Sequence, residues 1–570
     1  MKKRYWKKVL VAGGAVAAAA VAKKTYEKKA RRQHQKEVEE SLRKRNYGER
    51  QAYILGNELT ALSAAVYLIR DARFPADHIH IFSKEPYVKN DFVPETGFVC
   101  QKICFCEEQT FENCWELLNS LPSGKKRPKT SVGEEIRKFS ESHPIHAKAR
   151  LVDETGKIVD AESLGLNQEE RVRIAKLLMS GEEELEGQTI EQWFASSHFF
   201  TTNFWHLWSS TFGIREKSGI MDFRRLLQRK VLNFGDLDTM DWMRQPPYAP
   251  QEDFYLNLWS YLVKKGVIFE VQKGVESIDL TEDGVRACGL WIREKENVSH
   301  LKLAEDDLLI VTDGDGRHWC EMGDWNRPAV LPPEKKHPAQ KSFWALAAQK
   351  RPGLLGSPNV FLGNPDHTEE IQFTLTSRGN TILRRMEKFT GNQAGTGGFV
   401  TLKDSPWKIT LIVPVQPYFM CQQPEETVIL GFGQAPECLG KKVKKPMREC
   451  AGKEIFEEIL ACLHWEDIKD RAEREIINLT MVRWPYARAP YEPHSIGDRV
   501  SVMPDPDGNL AFAGWFCEMP EEIAGGEECK VRSARMAVYS LLKIDKEILP
   551  VTPYRKDAKI LAKALYAVYR

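Results

Sequence analysis

Ala52-Tyr-Ile-Leu-Gly56-Asn57-Glu58-Leu59-Thr60-Ala61 opens the folded sequence, followed by an Ala- and Leu-rich run to Asp71 and then by His78-Ile-His-Ile-Phe82. The segment up to Gly56 reads as a buried strand, Leu59–Asp71 as a helix and His78–Phe82 as a second strand. A strand–turn–helix–strand unit of about 30 residues is the size of the first half of a dinucleotide fold. Its turn needs the pattern G-x-G-x-x-G or G-x-G-x-x-A. The first Gly makes the turn, the second lets a pyrophosphate approach backbone N–H groups, and the small last residue packs helix on strand. Here Gly56 and Ala61 fill the outer positions, but Glu58 stands in the middle. That places bulk and negative charge where a pyrophosphate would lie. The acidic residue expected at the end of the second strand, for a ribose hydroxyl, is replaced by Ser83 or Lys84. A Rossmann-like unit kept for packing and one that still binds a dinucleotide both remain open.

The surrounding chain has 570 residues, enough for two to four domains. Hydrophobic residues make up 42% and charged residues 28%, a globular composition. A net charge of +2 gives no electrostatic case for nucleic acid. The 12 Cys are scattered, with no CxxC pair and no zinc-like Cys/His spacing, so free thiols in a reducing compartment are expected and no metal site.

Outward from the opening unit, the fold class reads as α/β: a Rossmann-like domain with a mixed α+β substrate domain and helical additions. Residues 51–124 form the first part of the Rossmann-like domain and 125–260 a mostly helical region. Aromatics recur in that region at Trp193-Phe194, Phe199-Phe200, Phe204-Trp205 and Trp208. They suit either the wall of an apolar channel or plain core packing. Residues 261–330 return to the first domain through strands at Val267–Val271 and Leu308–Thr312. Residues 331–485 make the mixed domain. Residues 486–545 close the first domain with the strand Asn509-Leu-Ala-Phe-Ala-Gly514 and a helix near Val531–Leu542.

The two ends differ from the rest. Residues 1–24 are basic and then apolar, and the run Val9–Ala22 has 14 residues. That is short for a hydrocarbon core of about 30 Å. It suits a membrane-associated anchor, a signal-like segment or an Ala-rich helix. Residues 25–50 are a charged linker. Residues 546–570 end in a basic amphipathic helix whose stripe is Ile560, Leu561, Ala564, Leu565, Val568 and Tyr569. Such a helix lies either on an anionic membrane or on its own protein. The expected location is the cytoplasm or the cytoplasmic face of a membrane.

Further phrases resemble one family. They include Ala65-Val-Tyr-Leu-Ile-Arg-Asp71, Trp115–Ser123, Asn203-Phe-Trp205 and Val311-Thr312-x-Gly314. Later come Lys444–Cys450, Gly497-Asp-Arg499, Asn509–Gly514 and Val531-Arg-Ser-Ala534. Together they resemble the oleate hydratase (myosin-cross-reactive antigen) family from about residue 51 to 543. The resemblance implies FAD, a long-chain unsaturated fatty acid, addition of water across its cis-9 double bond, and a tendency to homodimers. It also implies a Glu and a Tyr as the acid/base pair, roles that suit hydration of an unactivated alkene.

The chain departs from that family where the chemistry would sit. The family's Glu position falls on Phe105 or Cys106, and its Tyr position, after Arg224-Arg225, on Leu226. Glu107 and Glu108 are the weak substitutes. Cys104 and Cys106 have no neighbouring His to activate them. On the cofactor side the resemblance points to Gly56, Asn57, Ala61, Ser83, Gly314, Gly514, Glu518 and Glu528. Between the last two, Glu521-Glu522-Ile-Ala-Gly525-Gly526-Glu527 adds acid near a would-be diphosphate, and Gly525-Gly526 reads as a flexible loop or a new backbone turn. Three functions follow: a fatty-acid-binding member whose hydratase activity is impaired or lost, an active hydratase with relocated residues, or another flavin oxidoreductase.

Overall fold

The computed structural model describes residue 26 and residues 29–83, 96–100, 103, 106–123, 130–282, 285–312, 319–333 and 342–569, the side chain of 254 aside. The run Val9–Ala22 lies outside these, as do Lys84, Cys104, Phe105 and Gly314. No helix among the described residues is long and apolar enough to cross a membrane.

Five parallel strands form the first sheet, in the order Leu510–Phe512, Leu308–Val311, Ala52–Leu55, Ile79–Ser83, Ile268–Val271. The two strands at its centre, Leu308–Val311 and Ala52–Leu55, are buried at every position. Unbroken apolar runs are what a parallel sheet covered on both faces requires. The turn helix, Leu59–Arg70, follows the first strand, and the closing helix, Glu527–Leu541, packs on it. A three-stranded antiparallel meander, Lys273–Leu280, Ala287–Glu294 and Asn297–Lys302, lies in sequence between two of the parallel strands. This is the Rossmann-like α/β arrangement anticipated from Ala52–Phe82.

The second sheet has eight strands, in the order Glu321–Gly323, Ile476–Trp484, Glu370–Arg378, Glu426–Gly433, Ile409–Ile412, Phe399–Leu402, Leu151–Val152, Ile158–Val159. Alternation gives it two buried faces. From Glu426–Gly433, Val428, Leu430 and Phe432 join the aromatic helical core, whereas Ile429 joins the core under the helices Thr381–Thr390 and Gly452–Leu463. The hairpin at 151–159 lies inside the stretch read as mostly helical. Its two-residue strands are too short to show a periodicity, and pairing with Phe399–Leu402 fixes them instead.

The helical region is well capped. Ser131 with Glu134, Asn167 with Glu170 and Thr189 with Gln192 form capping boxes. The aromatic pairs noted in the sequence build its core, with Phe194 stacked on Phe199 and Trp208 edge-on to Phe223 and Phe234. The tail helix, Ala558–Tyr569, docks on Val231–Asp236 through Ala564, Ala567 and Val568. Leu565 and Tyr569, read as part of its apolar stripe, are instead 55% and 54% exposed. A helix over 29–44 buries Leu42 in the first core, and Arg45 just beyond it donates to the Leu542 carbonyl.

Candidate functional site

The nucleotide turn keeps its backbone shape. Gly56 sits at φ +123°, a left-handed conformation that favours glycine, and its amide donates to the Phe82 carbonyl at 3.0 Å. Ala61 is fully buried where the turn helix crosses the strand. Asn57 is half-buried, and Ser83 ends the second strand opposite Val271. Glu58 is the helix N-cap: its carboxylate accepts the amide of Thr60 at 2.6 Å and that of Ala61 at 3.4 Å. The side chain is 1% exposed. Free N–H groups at a helix start are what a phosphate would take. Here the chain's own carboxylate has taken them. The diphosphate of FAD, the group implied for this turn, does not fit the residues present.

Gly514 ends the closing strand at φ +141°, with its amide donating to Ser533 Oγ. A Cβ there would lie 2.9 Å from the Phe516 ring, so glycine is required. Gly526 is the N-cap of the closing helix, and a Cβ on Gly525 would meet the Tyr491 hydroxyl at 2.4 Å.

The helix Ile220–Arg229 carries the Arg224-Arg225-Leu226 phrase. Three of its side chains at helical spacing pair with the C-terminal segment that closes the first domain. Asp222 accepts from Arg499 with both oxygens at 3.1 Å, Arg225 donates to Glu518 at 2.9 Å, and Arg229 donates to Glu522 at 3.2 Å. Residues 222, 225 and 229 share one face. Leu226 is 1% exposed and lies in the aromatic core. A hydrocarbon there supplies no proton.

Arg229 also holds Glu112 at 2.9 Å, and Arg532 reaches Glu522 at 3.0 Å and Glu528 at 3.0 Å. The carboxylates of Glu112, Glu522 and Glu528 gather within 4.8 Å of one another, interleaved with these two guanidinium groups. Burial pushes the Glu528 carboxyl up to about 7, with Glu522 adding and Arg532 opposing. Burial would raise Glu112 as well, but its bonds to Arg229 bring it down to about 2.

Of the positions matched to the family's acid, Phe105 lies outside the described residues. Cys106 is buried in a two-residue strand, and burial lifts its thiol to about 12, so it stays protonated and unreactive. Glu107 is held by Lys230 and by the Thr110 hydroxyl at 2.5 Å. Glu108 is shared between Arg137 and Arg244, at 3.4 and 3.0 Å. Both substitute carboxylates are therefore engaged in ion pairs.

A cavity of about 220 Å³ lies where the second sheet meets the closing segment. Its walls include Phe212, Trp319, Trp484, Trp515 and Tyr491, and its charged lining is Glu370, Arg488 and Lys530. Trp484 Nε1, Tyr486 Oη and Arg488 Nε are buried there without a hydrogen-bond partner among the described residues. Such groups are rare in folded proteins, and each costs about 1–3 kcal/mol. Burial draws the Arg488 guanidinium down to about 10, against the pull of Glu370 at 3.3 Å, so it remains a cation at neutral pH. Burial also pushes the Tyr486 phenol up, keeping it a donor.

These three donors were missed in the sequence. Arg483-Trp484-Pro485-Tyr486-Ala487-Arg488 places two arginines beside bulky aromatics at the end of an apolar strand, and that pattern is a usable sign of buried charge. Of the residues the sequence did single out, the structure joins Arg225 to Glu518 directly and links Glu528 to Glu522 through Arg532. Glu58 stands apart, at the turn helix.

Comparison with known proteins adds the relatives. The sequence matches the MCRA family over residues 49–539. It is 29% identical to a linoleate hydratase of Lactiplantibacillus plantarum, covering 90% of this chain and 97% of that protein. It is also 29% identical to an oleate hydratase of Streptococcus pyogenes serotype M49 (strain NZ131), covering 91% and 89%. Among solved structures, an oxidoreductase from Methanosarcina mazei superposes with a TM-score of 0.46 at 13% identity, over 86% of this chain and all of that one. A flavoprotein/dehydrogenase from Cytophaga hutchinsonii gives 0.36 at 12% identity, over 87% and 80%.

Proposed function

The chain belongs to the MCRA family, and on that premise we propose that it binds a long-chain unsaturated fatty acid without adding water to it through the family's acid/base pair. The observation that carries the reading is the group of three buried donors at the aromatic-walled cavity. The relatives are named for linoleate and oleate, which share one charged group, a carboxylate.

An ionised carboxylate only accepts, with two oxygens and about four lone-pair sites. An indole N–H, a phenol O–H and a guanidinium N–H offer it three donors, one of them charge-assisted. Binding would relieve groups that otherwise stay desolvated and unpaired. The lining carries two cations, Arg488 and Lys530, against one anion, Glu370. The volume falls below the ~300–1,000 Å³ usual for small-molecule sites, so it suits a head group and its first methylenes and leaves the acyl chain to lie beyond.

No step of water addition can be written at the matched positions. Leu226 has no proton to give, Cys106 keeps its own, and the carboxylates of Glu107 and Glu108 are bound to cations.

The test pairs two measurements on the purified full chain. Oleate titrated against tryptophan fluorescence should saturate, since three tryptophans line the cavity. Incubation with oleate or linoleate, followed by mass spectrometry, should return the acid unchanged. A hydroxy fatty acid product would overturn the loss of activity, and a flat titration would overturn the binding.

A further inference from the structure

We infer that the Glu58 carboxylate is a built-in substitute for a dinucleotide phosphate, so that this Rossmann-like half holds its turn closed without a cofactor. The inference does not depend on the fatty-acid reading.

A helix start bears partial positive charge and several N–H groups with no partner in the helix, and phosphate is favoured there for both reasons. The turn helix has that start, reached by a glycine with positive φ, as a nucleotide turn requires. What differs is the residue between. Glu58 adopts an extended backbone, φ −93° and ψ −174°, which folds its side chain back over the helix end. One carboxylate oxygen then receives both the Thr60 and the Ala61 amides. Burying a carboxylate is costly unless donors compensate it, and here the helix end compensates it. A phosphate arriving at the same place would have to displace a covalently tethered anion or sit beside it, and like charges in a buried site repel strongly.

A second carboxylate behaves in the same way. Glu528, from the closing helix, accepts the amides of Asn113 at 3.0 Å and Cys114 at 2.9 Å at the start of the helix Glu112–Ser120. The family resemblance implies a flavin contact for Glu528. In the fold it closes a helix, and Glu518, implied there too, is bound to Arg225. The acids of this half therefore complete the scaffold internally.

The experiment is equilibrium dialysis of the full chain against FAD, read by flavin absorbance, with thermal melts in the presence and absence of inorganic pyrophosphate. Wild type should retain no flavin, and its melt should not move with pyrophosphate. E58G should gain roughly tenfold in pyrophosphate affinity, the factor worth about 1.4 kcal/mol. E58Q removes the charge but keeps the bulk and an accepting oxygen, and should gain less than E58G. Stoichiometric FAD on wild type would overturn the inference, as would a folded E58G with no gain. If E58G does not fold, the wild-type dialysis decides alone. Fatty-acid binding is read by tryptophan fluorescence, so failure of either proposal is distinguishable from failure of the other.

Discussion

Glu528 and Asn113, 415 positions apart in the chain, meet in the buried interior, where one carboxylate takes both the backbone and the side-chain N–H of the asparagine. The same carboxylate touches Arg532, and Glu112 and Glu522 crowd it from two other elements, with Arg229 between them. Burial first and Glu522 second raise its pKa from 4.5 to about 7. A carboxyl whose folded pKa lies above its unfolded value adds stability that is complete below pH 4.5 and is lost as pH rises through 7. Its contribution to the urea midpoint should fall with pH across that window. E528Q should remove about one proton's worth of the slope. Glu492, which burial also lifts to about 7, adds a fall of the same sign, whereas His206 and His494, whose pKa values burial lowers, oppose it below about pH 6.5. Glu112 lies outside the window, because its stabilisation is lost only as pH falls through about 2. An unchanged slope in E528Q would refute the assignment.

Arg488 is the side chain whose loss should affect the ligand most. Removing one partner of a buried charge pair costs about 2–5 kcal/mol of binding. R488A should therefore weaken oleate by roughly thirtyfold or more in the fluorescence titration. W484F removes the indole N–H together with part of the ring that walls the cavity, and should cost at least about 1 kcal/mol, close to fivefold. Equal affinities in wild type and R488A would place the head group elsewhere.

The pair Asp222–Arg499 fastens the helix Ile220–Arg229 to the C-terminal segment with both partners 1% exposed at the side chain. Arg499 also donates to the carbonyls of Pro490 and Trp515, so it spans three segments. D222N leaves that guanidinium uncompensated and should lower stability by about 3–5 kcal/mol. Chemical denaturation measures this. A loss under about 1 kcal/mol would mean that the pair is relaxed by water.

Much of the first domain was legible because its strands are short apolar runs ended by turn residues. Ala52–Leu55, Leu308–Val311 and Leu510–Phe512 all fall within the segments read from sequence, and all enter one parallel sheet. Their order was not legible, since it depends on pairings such as Ala52 with Leu308 that no local pattern encodes. The tail stripe was read at the right period, but the buried face turned toward Ala564, Ala567 and Val568, because small residues let the helix lie close to Val231–Asp236. The acidic run from Glu521 was legible as charge but not as structure: one partner of Glu522, Arg229, lies 293 residues away. The cavity donors were the least legible, since being unpartnered is a property of geometry and not of spacing.

Leu226 offers the sharpest separation between an altered residue and an altered site. If the proposed loss of activity came only from a missing phenol, L226Y would restore a proton donor at the matched position. The surroundings argue otherwise. Leu226 packs in the core formed with Phe194, Phe199, Trp205, Trp208 and Phe223, and it is 1% exposed. A tyrosine ring there overfills a packed core, which costs about 1–3 kcal/mol. Its hydroxyl would also need a partner inside an apolar cluster. The glutamate side is not restored either, because Cys106 remains and Glu107 stays bound to Lys230 and Thr110. L226Y should thus melt earlier than wild type and give no hydroxy acid from oleate by mass spectrometry. Product from L226Y alone would mean that one side chain separates this chain from an active hydratase.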